Sequence, residues 1–134
     1  MEPEIYAALV FNDATITDDI CAMLHKLGAS KCWLKGDKIE RTTIVHEYNG
    51  CKFTAPVEKD NHLGNVASKF IRDLIEGHNE LVGAITTWNL SPMLSLTAYV
   101  TDVMPSIHFQ SSVLTFLAEN NITLDVDIIL ISEE

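Results

Sequence analysis

Residues 94–131 constrain the rest of this chain, because they show the strand period, then the helix period, then the strand period again. Leu94, Leu96, Ala98 and Val100 alternate with Ser95, Thr97, Tyr99 and Thr101, the two-residue rhythm of a half-buried strand. Pro105-Ser106 breaks that strand and offers a helix start, since proline cannot donate to a ladder and serine caps an orphan N–H. Val113, Leu114, Phe116 and Leu117 then recur at helical spacing. Asn120-Asn121 supplies the stop, because asparagine tolerates the left-handed cap position. The closing strand, residues 123–131, puts Leu124, Val126, Ile128 and Leu130 on one face and Asp125, Asp127, Ile129 and Ile131 on the other.

That last face is unusual. Aspartate forms strands poorly and is almost never fully buried without a partner. Asp125 and Asp127 are therefore expected to reach water or a cationic partner, yet Ile129 and Ile131 continue their face. Acidic and apolar groups mixed in this way compose a binding patch, and they also compose an ordinary solvated sheet edge.

The remaining segments give a second copy of the pattern and a middle section. Residues 5–11 are continuously apolar and predict a central strand buried on both sides or nearly so. Thr17 precedes Asp18-Asp19, with Ile20, Met23, Leu24 and Leu27 at helical spacing and Gly28 as a left-handed stop. Residues 30–34 predict a strand, and Lys35-Gly36-Asp37 a turn. Residues 42–48 are β-branched and predict a strand folded back by Asn49-Gly50 through residues 51–54. From Leu63, the positions of Val66, Phe70, Ile71, Leu74 and Ile75 predict a helix ending at Gly77 or Asn79. Residues 81–88 predict a strand. Met23-Leu24-His25-Lys26-Leu27 aligns without a gap on Val113-Leu114-Thr115-Phe116-Leu117, so two strand–helix–strand units flank the middle. The expected fold is α+β in one domain over residues 1–134. Three helices would pack on a mostly antiparallel, ferredoxin-like sheet elaborated in the middle.

Composition enters where it excludes functions. The 134 residues suffice for one core and carry a formal charge of −10. All nine Lys and Arg lie at or before Arg72, whereas Asp73, Glu76, Glu80, Asp102, Glu119, Asp125, Asp127, Glu133 and Glu134 follow with no base among them. Such a half-chain repels nucleic acid and anionic membrane and favours a cationic partner, although plain solubility also rewards acidity. No apolar run reaches membrane-spanning length, and Met1-Glu2-Pro3-Glu4 is acidic where a secretory leader is basic, so a cytoplasmic protein is expected. The three cysteines, Cys21, Cys32 and Cys51, are an odd number, which fits a reducing compartment better than a disulfide framework.

The search for chemistry finds no enzyme. Cys21 and His25 lie one helical turn apart with Cys32 following, but no C-x-x-C or H-x-x-x-H pair marks a zinc site, and Cys21 reads as a small buried side chain. Ser106 and His108 lack a G-x-S-x-G elbow. The glycines are isolated, so no phosphate loop is present. Asp125 and Asp127, about 7 Å apart by strand rise, have no substrate cleft in the sequence around them. No cofactor, metal or catalytic residue is expected.

Several segments together resemble a family known by number alone, domain of unknown function 4279, made up of small bacterial α+β proteins. The resemblance lies in Ile16-Thr17-Asp18-Asp19-Ile20, in the Leu27-Gly28 helix end, in Lys35-Gly36-Asp37, and in the unit closing on Leu124-Asp125-Val126-Asp127-Ile128. The family pattern favours a proline after Leu-Gly, where Ala29-Ser30 stand, and a tryptophan in the middle strand, where His46 and Tyr48 stand. Membership implies an α+β fold and assigns no catalytic residue. Size, location and the base-free acidic half lead to an expected function: an immunity-type inhibitor that neutralises a cationic toxin, a nuclease by its need for basic surface. Asp125, Asp127, Glu133, Glu134 and Tyr99 are the expected contact residues. The alternative is a small-molecule-binding or regulatory module of ferredoxin-like type. The final strand, if exposed, also offers an edge for self-association.

Overall fold

In the computed structural model, which describes residues 2–132, the organising unit forms as its alternation requires. β5 (Met93–Val100) and β6 (Thr123–Leu130) pair in parallel, Leu94 opposite Leu124 and Ala98 opposite Ile128, with α4 (Ser111–Glu119) as the crossover. Before them come β1 (Glu4–Asn12), α1 (Asp18–Lys26), β2 (Lys31–Trp33), β3 (Gly50–Thr54), β4 (Glu58–Lys59), α2 (Leu63–Gly77) and α3 (Asn79–Thr87). The sheet runs β2-β3-β1-β5-β6, with β4 paired to the start of β1. Every pairing between the named strands is antiparallel except that of β5 with β6, so the sheet is mixed and four helices, not three, accompany it.

One face of the sheet is the core. Ile5, Ala7, Leu9 and Phe11 of β1, with Leu94, Leu96, Ala98 and Val100 of β5, bury against Leu24 of α1, Phe70 and Leu74 of α2, Ile85 of α3 and Leu117 of α4. The expectation that β1 is buried on both sides fails, because no helix covers the other face. Tyr6 is exposed there, and Ala8 and Val10 are half-buried.

Local chemistry sets the helix ends. Thr17 Oγ1 accepts from the Ile20 N–H at 3.2 Å, and Asp18 and Asp19 occupy the first turn of α1. Gly28 stands at φ 104°, with Gly28 N–H donating to His25 O and Ala29 N–H to Leu24 O, the paired bonds of a Schellman stop. The same pair of bonds closes α3 at Asn89 and α4 at Asn121, the two asparagines at φ 52° and 58°. By cap position Leu24 therefore corresponds to Leu117, which shifts the expected gapless match of Leu27 with Leu117 by three residues.

Three local expectations are corrected. Residues 81–87 are helical and Trp88 caps them, because Leu81, Ala84 and Ile85 bury one helical stripe against the core. Packing of that stripe outweighs the β-branched run Ile85-Thr86-Thr87. Residues 42–48 form no strand. They belong to an exposed loop closed by the Lys38–Val45 bridge and by Ile39 N–H to Ile44 O. Asn49-Gly50 is accordingly not the expected hairpin turn. Asn49 holds that loop, accepting from Lys35 N–H and donating to Asp18 Oδ1, while Gly50 opens β3 beneath the Trp33 ring. Helix α4 starts at Ser111 and not at Ser106, whose backbone instead bonds Asn61 and Leu63. Among the described residues no helix is long and apolar enough to cross a membrane.

Candidate functional site

The uncovered face of the sheet gathers the residues that chemistry would use. In β5 the period of two turns Ser95, Thr97 and Tyr99 away from the helices, and the parallel register sets Asp125 beside Ser95, Asp127 beside Thr97 and Ile129 beside Tyr99. β1 adds Glu4 and Tyr6 to the same face, Glu4 opposite Tyr99 and Tyr6 opposite Thr97. The rings of Tyr6 and Tyr99 meet edge to face at 5.4 Å, and the Tyr6 hydroxyl donates to Glu4 Oε2 at 3.4 Å. A concavity of about 300 Å³ lies beside the pair, lined by Glu2, Glu4, Tyr6, Tyr99 and Ile131 and also by Lys59, a base among the acids.

Three of the expected contact residues thus share one surface: Asp125, Asp127 and Tyr99. Glu133 and Glu134 lie outside the described residues. No salt bridge or side-chain hydrogen bond engages Asp125 or Asp127 among the described residues, so both carboxylates face outward uncompensated. β6 also ends the sheet and leaves one side of its backbone without a neighbouring strand.

The rest of the acidic half goes elsewhere. Asp73, Glu76 and Glu80 lie on α2 and α3, and Glu119 ends α4. Asp73 is 3.7 Å from Lys69, whose ammonium also holds Glu58 at 2.8 Å and is pushed above its ordinary pKa by that carboxylate. The open face carries the opposite charge at its far end, where Lys31 and Lys52 stand paired on β2 and β3. On the open face, negative charge therefore lies toward β5 and β6, while the helical side of the molecule carries the other acids.

Sequence reasoning missed Tyr6 and Glu4. The available signal was the alternation of Glu4, Tyr6, Ala8 and Val10 with Ile5, Ala7, Leu9 and Phe11, which the unbroken apolar character of residues 5–11 obscures. Chemically, the surface offers carboxylates and aromatic edges. Such an arrangement can bind cations and apolar side chains.

The chain belongs to the family described as Domain of unknown function (DUF4279), whose model matches residues 3–130. No curated protein and no solved structure matches it.

Proposed function

We propose that this chain is a protein-binding module, an immunity-type inhibitor that neutralises a cationic toxin through the open face at β5 and β6. The observation that carries the reading is the pair of unengaged aspartates, Asp125 and Asp127, flanked on one face by the Tyr6–Tyr99 pair. Carboxylates so placed steer a basic partner and fix its register, while buried aromatic anchors contribute most of the affinity. A nuclease must present basic surface to its substrate, and that surface is what this face complements. Pull-down with the product of the neighbouring gene, followed by titration in rising salt, tests the reading. Affinity should fall as salt rises and fall again in Asp125→Asn/Asp127→Asn. A partner bound equally well at all salt concentrations would remove the electrostatic basis.

The second reading is a ligand-binding or regulatory module of ferredoxin-like type. The order β5-β1-β3-β2 with antiparallel neighbours supports that comparison, α4 and β6 being an addition at the β5 edge. A groove of about 500 Å³ between α2 and α4, lined by Ile71, Ile75, Val113 and Phe116 with Arg72 and Gln110, lies in the size range of ligand pockets. Saturable binding of an apolar fluorescent probe, lost in Ile75→Asp, would favour this reading.

A further inference from the structure

Away from the open face, three cysteines from three different elements converge under the other end of the sheet. Cys32 of β2 and Cys51 of β3 are direct partners in the antiparallel ladder, with their Sγ atoms 2.7 Å apart. Cys21, on the sheet-facing side of α1, brings its Sγ to 3.3 Å from that of Cys51. All three sulfurs lie within 4.8 Å of one another. One turn after Cys21, His25 places Nδ1 3.9 Å from Cys32 Sγ. Cys21 and Cys51 are buried and Cys32 is half-buried, so the cluster is roofed by the core and open on the His25 side.

We propose that Cys21, Cys32 and Cys51 are the ligands of a zinc-class ion, with His25 as the fourth. Three thiolates and an imidazole are the donor set of a closed structural site, and among the described residues no carboxylate joins the cluster to favour a harder cation. With Zn–S bonds of about 2.3 Å, sulfurs sharing one ion stand about 3.7 Å apart, so the Cys32–Cys51 pair opens by about an ångström and the Cys21–Cys51 pair by about 0.4 Å. Binding proceeds by exchange: each thiol gives its proton to solvent as its sulfur takes up the metal, with no change of oxidation state. A Cys32–Cys51 disulfide is the competing fate of the closest pair. It would need an oxidant, and it leaves unexplained why Cys21 brings a third sulfur to the same point. A bound ion would tie α1 to the β2–β3 edge, where β2 has only three residues to hold it.

The test uses the full chain, reduced and freed of metal, titrated anaerobically with cobalt(II) and then zinc(II). The expected result is one equivalent of cobalt with the thiolate charge-transfer band of a tetrahedral site, displaced by zinc, and a rise in melting temperature with zinc. Cys32→Ser, at a half-buried position, should keep the fold by circular dichroism and weaken zinc binding at least a hundredfold. His25→Ala, at an exposed position, should keep the thiolate band, alter the ligand-field bands and weaken binding about tenfold. The proposal is overturned if the reduced, folded chain shows no thiolate–cobalt band, or if Cys32→Ser leaves that band unchanged. It is also overturned if protein purified without added oxidant carries a Cys32–Cys51 disulfide and no metal.

Discussion

Tyr6 on β1 and Tyr99 on β5 meet ring edge to ring face at 5.4 Å on the side of the sheet that no helix covers. Two large rings left in water contribute little to folding: such a pair adds about 0.5–1.5 kcal/mol beyond area burial, and less where both rings stay hydrated. Their use is in contact with something else. Tyr99→Ala should therefore lower stability by about 1 kcal/mol or less, measured by urea denaturation, while weakening partner binding at least tenfold. Asp125→Asn/Asp127→Asn should act mainly on the association rate and flatten its salt dependence. Stopped-flow association at low and high salt separates the two effects. Equal loss of stability and affinity in Tyr99→Ala would assign the ring to the scaffold.

The same aspartates have a second consequence, because β6 is an eight-residue strand at the sheet edge with Leu130 76% exposed. An edge of that length invites pairing with another copy, and charge on the strand is a common safeguard. Antiparallel pairing of two β6 strands would bring Asp125 and Asp127 of both copies together. The wild-type chain should remain monomeric near neutral pH by light scattering, whereas Asp125→Val/Asp127→Val should dimerise or aggregate. A stable wild-type dimer insensitive to these changes would place self-association on another surface.

Glycine substitutions separate close approach from mere flexibility. A Cβ on Gly50 would strike the Trp33 ring and the Phe11 carbonyl oxygen, and one on Gly64 would strike the His108 carbonyl. Neither carbonyl can move without opening backbone structure, so Gly50→Ala and Gly64→Ala should each cost about 3 kcal/mol, the upper range for overpacking. A Cβ on Gly83, exposed within α3, would meet nothing within 4 Å. Gly83→Ala should stabilise the chain by about 0.8 kcal/mol through helix propensity alone. Destabilisation there would contradict the helical reading of residues 79–87.

The parts of this structure legible in the sequence were those encoded by short-range period and cap chemistry. The β5–α4–β6 unit, the Thr17 cap and the Gly28 and Asn121 stops follow from residues within one or two turns of each other. Helix α3 was hidden because β-branched Ile85-Thr86-Thr87 favours a strand locally, while the deciding stripe of Leu81, Ala84 and Ile85 matters only once a core exists to receive it. Ala29 is instructive in the same way. Its N–H closes the Schellman motif to Leu24 O, a bond that a proline at this place would have no hydrogen to make. Tyr6 and Glu4 escaped notice because the apolar run of residues 5–11 masks the alternation that puts both on one face. The thiol cluster was least legible, since Cys21, Cys32 and Cys51 form no local motif. Only the β2–β3 register and the facing of α1 bring them together.

That cluster gives the reduced, metal-free chain a pH dependence whose sign can be worked out. Burial, reinforced by the thiols of Cys32 and Cys21, pushes the Cys51 thiol well above its ordinary value of 9.0, and burial likewise raises Cys32. A raised folded pKa means that the folded state holds its proton where the unfolded state releases it. The stability contribution is therefore complete below about pH 9 and is lost as pH climbs beyond, with a limiting slope of about 1.4 kcal/mol per pH unit for each such thiol. Tyrosines and lysines titrate in the same range, so the informative quantity is a difference between variants. Between about pH 9 and pH 10 the wild type should lose about 1 kcal/mol more than Cys51→Ala, read from urea midpoints at matched ionic strength. The variant is expected to begin less stable, because a buried side chain has been shortened, but its curve should be flatter on the alkaline side. Parallel curves for the two proteins would mean that Cys51 ionises as readily folded as unfolded, and hence that water reaches the cluster.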